Sequence, residues 1–325
     1  MIGLGKMGLL HASILNVLPN VRLVALCDKS SLILRFAKKL FNKEVQVVKD
    51  IEKLSGLDLD VAYVTAPIFS HYFITKKVYS SRIARNLFVE KTLASSYDEA
   101  KELCDLAQSF GGVNMVGYMK RFAVTFNKAK DLLAQDFLGE VISFKGYAYS
   151  SDFLNSEKTA NASSSRGGAL RDLGGHIVDL ALWFFGDFQV DSTTSQSLTE
   201  NDYEASVEFR VKKSDGLIGE FTVSRCMKNY RLPEVGFLIE GSKGVMNVND
   251  DKVDLELNDG KSFTWYRHDL NDNVGFMLGG PEYFREDEYF INSVVEGCDA
   301  EPSFFTASKV DHLIDQVTCG AEKNV

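Results

Sequence analysis

The segment Gly3-Leu4-Gly5-Lys6-Met7-Gly8 restricts this chain more than any other, because G-x-G-x-x-G spacing suits one local geometry. The first glycine permits a tight turn. The second lets the backbone approach a pyrophosphate, and the third lets the next helix pack closely on a sheet. That helix then presents backbone N–H groups and its positive dipole end to phosphates. The turn predicts a dinucleotide-binding unit with Gly3, Gly5, Lys6, Met7 and Gly8 as cofactor-binding residues. An acidic residue is expected where the next strand ends. Asp28 stands there, twenty residues after Gly8 and just past the apolar run 21–27. A carboxylate at that point attracts a ribose 2′-hydroxyl and repels a 2′-phosphate, which favours NAD. Lys29, Ser30 and Arg35 lie close by and keep NADP open. The plain structural alternative for Asp28 is a strand-end turn residue or helix N-cap. Only Met1 and Ile2 precede Gly3, whereas a strand usually supplies about five residues. The first strand is therefore either very short or begins upstream.

The rest of the first 120 residues supports the turn. Apolar, β-branched runs at 21–27, 45–48, 61–66, 86–89 and 113–118 alternate with amphipathic stretches at 9–18, 32–40, 71–79 and 97–110. Such alternation predicts a parallel sheet with crossover helices. Nearly continuous apolar runs such as 61–66 suit a sheet covered on both faces. Beyond residue 120 the rhythm changes. One helix is expected at 124–135, followed by alternating segments at 141–150, 203–211, 216–226, 235–240, 244–248, 252–257 and 261–265. Turn signals such as Lys213-Ser214-Asp215-Gly216 and Asn258-Asp259-Gly260 separate them. This reads as a mainly antiparallel sheet, with further helices at 172–185, 286–295 and 306–317. The stretch 155–166, rich in Ser, Asn and Ala, reads as a mobile loop. The expected fold is α/β, then α+β. Residues 1–120 form a Rossmann, doubly wound parallel sheet, and residues 121–325 form the substrate-binding and oligomerisation domain.

Composition removes several function classes. A net charge of −9 disfavours nucleic acid as a partner. The five cysteines, at 27, 104, 226, 298 and 319, are odd in number and lack CxxC spacing. Free thiols fit better than a disulfide framework, and a zinc site is not expected. No apolar run has membrane-span length and the N-terminus does not read as a signal peptide, so a cytoplasmic location is expected. Gly260-Lys261-Ser262 is no P-loop, since Leu255 stands where the first glycine belongs. The acidic stretch 249–254 lacks the glycine and terminal Glu of a calcium loop. Asn161-Ala162-Ser163 is a glycosylation sequon without secretory context.

Two further motifs carry chemistry. Glu90-Lys91-Thr92 follows the apolar run 86–89, and Gly167-Gly168 opens the spacing Gly-Gly-x-x-x-Asp172-x-x-x-His176. Together with the glycine turn and the turn Thr65-Ala66-Pro67, these resemble the glucose–fructose oxidoreductase / inositol dehydrogenase / MocA-like family across nearly the whole chain. The resemblance implies a Rossmann domain followed by an open-faced antiparallel sheet, with a sugar, nucleotide sugar, cyclitol or related polyol as substrate. It also implies cofactor contact by Thr65, Pro67, His71, Glu90 and Lys91, and catalysis by Lys91, Asp172 and His176. A homodimer or homotetramer is implied too, since a second subunit commonly covers the open sheet. The apolar positions around 206–209 and 221–223 are the expected surface.

Chemistry assigns roles to these groups. Oxidising a secondary alcohol moves a hydride to nicotinamide and a proton to a base, and His176 suits the latter near neutral pH. Asp172, four residues away, is expected on the same helix face, where it orients the imidazole or holds a substrate hydroxyl. Lys91 either shares the proton transfer or stabilises developing alkoxide charge. Lys120 and Arg121 are candidates for meeting a substrate hydroxyl, carboxylate or phosphate. Tyr149, Asp152 and Trp183 are either sugar-facing or core residues, and the loops 151–166 and 225–233 are expected to set specificity.

The structural alternatives are equally definite. Asp172 is then a helix-start residue, His176 a core histidine, Lys91 a strand-end surface lysine, His71 a helix-surface histidine, and Lys120 and Arg121 packing at the domain junction. An Asp/His pair four apart also suits a metal, but no third ligand is evident, so no metal is expected. The same cofactor also serves glycosidases or epimerases without net redox change, and nucleotide-sensing regulators. Thr92 departs from the family's usual proline, where a cis peptide is far more common. Ile68 stands where the family often has Asn.

Overall fold

Ile2 joins the first sheet together. In the computed structural model, which describes residues 1–41, 44–152, 168–197, 204–272 and 280–322, Ile2 forms parallel bridges to both Cys27 and Val64. On one side of it lie β1 (Ala25–Cys27) and β2 (Gln46–Val48), paired in parallel. On the other lie β3 (Val61–Val64), β4 (Asn86–Glu90) and β5 (Asn114–Gly117), also parallel. The resulting order, β2-β1-Ile2-β3-β4-β5, is that of the Rossmann fold. A single bridging residue thus takes the place of the first strand.

Helices α1 (Lys6–Leu15), α2 (Ser31–Leu40), α3 (His71–Ser80) and α4 (Tyr97–Phe110) follow Ile2, β1, β3 and β4 respectively. Two have side-chain caps: Ser30 Oγ accepts from Ile33 N and Ser96 Oγ from Glu99 N. Every residue of β4 is buried, as a central strand covered on both faces requires. Leu4, Ala12, Leu26, Leu34, Ala37 and Phe41 form one apolar cluster. A second centres on Tyr63 stacked on Phe88 at 4.6 Å, with Phe290 edge-on to Tyr63.

Chain contacts divide the molecule into two units, residues 1–119 with 274–308, and residues 120–273 with 309–325. The expectation that everything after 120 belongs to the second domain is corrected for 274–308. The second unit begins with α5 (Val124–Ala134), and α6 spans Gly175–Phe185. The next helix, α7 (Pro281–Glu296), opens with proline at its first turn. It returns to the first unit because Asp287 meets His11 and Phe290 packs on Phe88. Val116 N donates to the Pro302 carbonyl and Phe304 N to Asn114 Oδ1, which holds the following segment there as well. The last helix, α8 (Phe304–Glu322), contributes its residues from 309 to the second unit.

The second unit is built on one sheet. Its strands are β6 (Val141–Tyr149), β7 (Gln189–Ser197), β8 (Glu204–Lys212), β9 (Ile218–Ser224), β10 (Glu234–Gly241), β11 (Gly244–Asn249), β12 (Lys252–Leu257) and β13 (Ser262–Tyr266). Their order is β13-β12-β11-β10-β6-β9-β8-β7, antiparallel throughout except for the parallel pair β6–β9. Strict alternation sends Phe144, Val207, Phe209, Phe221, Val223 and Phe237 inward. The opposite face carries the exposed Lys145, Glu208, Arg210 and Glu220. This corrects the expected oligomer surface, because the apolar side chains at 207, 209, 221 and 223 are consumed by the unit's own core. The stretch 155–166 lies outside the described residues. Among the described residues, no helix is long and apolar enough to cross a membrane.

Candidate functional site

The glycine turn follows Ile2, beside the ends of β1 and β3. Gly3 has φ +91°, and a Cβ there would lie 2.6 Å from Ala66 N. At Gly8 a Cβ would overlap the Gly3 carbonyl oxygen and stand 2.8 Å from Thr65 Oγ1. Thr65 closes this contact by donating Oγ1–H to the Gly3 carbonyl at 2.7 Å. Gly5 differs, since nothing lies within 4 Å of a Cβ built on it. It is the N-cap of α1 and supplies no side-chain acceptor to the first helical turn. Open space beside Gly5 and the N–H groups of that turn fit a pyrophosphate. Lys6 is exposed, Met7 half-buried and Pro67 exposed around it.

Asp28 fastens the same turn. Its Oδ2 accepts from Leu4 N and its Oδ1 from Ser30 N, each at 2.7 Å. The turn-residue reading therefore describes its backbone contacts, while each oxygen keeps a second acceptor site for a ribose hydroxyl. A cavity of about 700 Å³ opens at the other end of these strands, among Val24, Val61, Asn86 and Val295. Ligands of such sheets bind outside the carboxyl ends, so the turn and not this cavity is the candidate site.

Glu90 ends β4 on that carboxyl side, and Lys91 follows it. Glu90 Oε2 accepts from Lys91 N at 3.0 Å, and Oε1 accepts from His11 Nε2 at 3.0 Å. His11 Nδ1 faces both oxygens of Asp287, at 2.8 and 2.9 Å. Burial opposes charge on His11, but Asp287 and Glu90 outweigh it and hold the imidazole pKa well above its ordinary value. Burial likewise opposes ionisation of Glu90, yet His11 brings its pKa below the usual value. Glu90 is thus a buried carboxyl braced by His11 on one oxygen and by the Lys91 amide on the other.

His71 is wholly buried, which overturns the helix-surface alternative. Its Nδ1 lies 2.8 Å from the Thr92 carbonyl and its Nε2 2.7 Å from the Ala66 carbonyl. Two acceptors favour the charged ring, but burial is the larger influence and lowers its pKa. Any effect of His71 on a cofactor runs through the two loops it ties together. The Lys91–Thr92 peptide between them is cis, and Lys91 is half-buried.

In the second unit, Leu170–Gly174 winds as a π-helical turn before α6. Asp172 lies on this turn and His176 on the helix, so the simple α-helical spacing expected for them is altered. Such turns recur at functional sites. Arg171 anchors the turn through Asp311 at 2.8 Å and Asp315 at 2.5 Å, while Glu204 accepts from Leu170 N at 2.6 Å. Arg225, 3% exposed, contacts Asp172 at 3.0 Å through one nitrogen and Asp152 at 2.8 Å through another. Gly167 lies outside the described residues.

The remaining basic candidates are engaged. Lys120 pairs with Asp250. Arg121 is buried and grips Asp179 with two bonds of 2.8 and 2.7 Å, its guanidinium over the Trp183 ring. Tyr149 is half-buried, stacked on Tyr147 at 4.9 Å. Sequence reasoning missed His11 and Asp287, and took in Arg225 only as the first residue of the loop 225–233 expected to set specificity. His11 did leave a signal, being a polar residue among Leu9, Leu10 and Ala12 in the amphipathic stretch 9–18. Asp287 left none, because its partner is remote in sequence.

Residues 1–118 match the model described as oxidoreductase family, NAD-binding Rossmann fold. Residues 126–247 match the GFO/IDH/MocA C-terminal domain. An uncharacterized oxidoreductase of Schizosaccharomyces pombe is 27% identical over 135 residues, 42% of this chain and 36% of that protein, so this match spans well under half of the relative. The inositol 2-dehydrogenase of Rhizobium meliloti is 23% identical over 318 residues, 93% of this chain and 90% of that enzyme. A solved levoglucosan dehydrogenase, in complex with NADH and levoglucosan, superposes with a TM-score of 0.86 at 20% identity, covering 100% of this chain and 96% of the other.

Proposed function

Because the chain belongs to the Gfo/Idh/MocA family of NAD-binding oxidoreductases, we propose that it transfers a hydride between nicotinamide and a secondary alcohol or ketone of a sugar, nucleotide sugar, cyclitol or similar polyol. The observation that carries this reading is Lys91, held by Glu90 at the carboxyl end of β4 beside the glycine turn's strands. NAD supplies the hydride acceptor when bound. Gly5 and the first turn of α1 take the pyrophosphate and Asp28 the ribose hydroxyls. His176 accepts the alcohol proton, a task suited to imidazole near neutral pH. Lys91 donates to the alcohol oxygen and stabilises its developing charge. Asp172, oriented by Arg225, holds a substrate hydroxyl. Lys120 is kept as a substrate contact. Arg121 is assigned to the second unit's interior, since it is buried and its Nε and one Nη donate to Asp179. Assembly as a homodimer or homotetramer through the open sheet face, and a cytoplasmic location, belong to the same proposal.

The test is NAD reduction read at the NADH absorbance with a panel including myo-inositol and levoglucosan. Replacing Lys91 or His176 with Ala is expected to lower turnover by about 10²–10⁴-fold with NADH affinity largely kept. Unchanged turnover in both variants refutes the catalytic roles. Tight NADH binding without turnover of any polyol favours a sensor, and tightly bound NAD with sugar cleavage but no net reduction favours a redox-neutral enzyme.

A further inference from the structure

We infer that His11 and Asp287 are positioning residues for Lys91, acting through the Glu90 carboxylate. The inference rests on the proposed role of Lys91, and its geometry stands within one unit. Asp287 on α7 holds Nδ1 of His11, and Nε2 of His11 holds Oε1 of Glu90. Oε2 of Glu90 is then left to accept the Lys91 N–H. The chain of contacts runs from α7 through α1 to the end of β4. His11 and Asp287 are both fully buried.

Packing does not account for these residues. Carrying three ionisable groups out of water is costly, and apolar residues of similar volume are often neutral or better for stability. The surrounding rings already form an apolar cluster, with Phe88 at 5.2 Å and Tyr63 at 5.9 Å from His11. What the polar triad adds is direction. A carboxylate with one oxygen fixed by a charged donor has its other oxygen fixed too. His11 also lies on the helix that the glycine turn opens, about five residues or 8 Å along its axis from Lys6. One rigid helix thereby sets both the phosphate cradle and the Lys91 backbone.

The experiment uses the whole protein and reads two quantities. The first is hydrogen exchange of the Lys91 amide relative to those of Phe88 and Val89. The second is kcat and KM on the panel above. His11→Gln keeps a donor but removes the charge, leaving Glu90 and Asp287 to oppose each other across a neutral amide. The Lys91 amide is expected to exchange about 10-fold or more faster, the loss associated with a hydrogen bond to a charged group. Phe88 and Val89 should be little changed, and kcat should fall about tenfold or more with KM nearly constant. The double variant His11→Gln/Asp287→Asn removes the opposing carboxylate and should restore much of the Lys91 protection. A side chain that merely fills space predicts no such rescue.

Unchanged Lys91 exchange in His11→Gln, or a double variant no better protected than the single one, overturns the inference. Should His11→Gln fail to fold, Asp287→Asn takes its place. It frees the imidazole to turn, so Lys91 exchange should quicken by a smaller factor, and no change overturns the inference. These exchange arms hold even if no panel compound is turned over. That outcome counts against the proposed function alone.

Discussion

Two alanines in one turn should fail in opposite ways. Gly5→Ala places a methyl group where nothing lies within 4 Å, on a backbone at φ −65° that any residue adopts. Losing a glycine N-cap weakens α1, while the alanine reduces unfolded-chain entropy, so the net change should stay within about 1 kcal/mol. At about 2–4 °C per kcal/mol, Tm should move by no more than a few degrees. NADH affinity should suffer much more. The methyl group occupies the approach path of the pyrophosphate, an overlap of about 1–3 kcal/mol, which corresponds to roughly 5- to 150-fold in Kd. Gly8→Ala reverses the pattern. Its Cβ overlaps the Gly3 carbonyl oxygen and stands 2.8 Å from Thr65 Oγ1, so α1 must move off the sheet. About 3 kcal/mol of destabilisation, or roughly 6–12 °C, is expected before any cofactor is added. Thermal unfolding without cofactor and a fluorescence titration with NADH separate the two effects. The reasoning is refuted if Gly5→Ala binds NADH as tightly as the parent, or if Gly8→Ala melts no lower than Gly5→Ala.

Two further outcomes concern buried charge. Arg121→Ala removes the two-bond partner of the fully buried Asp179, and urea unfolding should show a loss of about 3–5 kcal/mol; a loss below about 1 kcal/mol would contradict the buried-pair reading. The His11 pKa is raised from 6.5, so its stabilisation is complete below pH 6.5 and disappears as pH climbs through the raised value. Glu90, lowered from 4.5, adds stability above pH 4.5 that is lost as pH falls through its folded value. Asp287, raised from 3.8 chiefly by burial, works against folding once ionised. Urea midpoints followed from about pH 5 to 9 should therefore decline on the alkaline limb, less steeply in His11→Gln; identical limbs in both proteins would exclude the His11 contribution.

The glycine spacing, the acidic residue at the end of the second strand and the β-then-α rhythm were readable because each depends on neighbours a few residues apart. A turn that needs φ +91° at Gly3, and contact with no room for a Cβ at Gly8, leaves its mark directly in residue type. The alternation of β8 and β9 was readable too, but not which side was inward. That depends on where α6 lies, so the apolar side chains expected to meet a second subunit turned out to fill the unit's own core. His71 shows the same limit, since its local setting allowed a surface helix and only Ala66 and Thr92 draw it inside.

The sequence by itself determined a dinucleotide cradle, a Rossmann alternation and an antiparallel second half, and it put forward Lys91, Asp172 and His176 as candidates. Tertiary structure alone decided what holds those groups. Ile2 substitutes for a strand by bridging β1 and β3, α7 returns to the first unit to bring Asp287 to His11, and Arg225 reaches Asp172 from the end of β9. The physical reason is that a buried charge must find a partner wherever the folded chain puts one, and that distance is set by packing rather than by sequence separation.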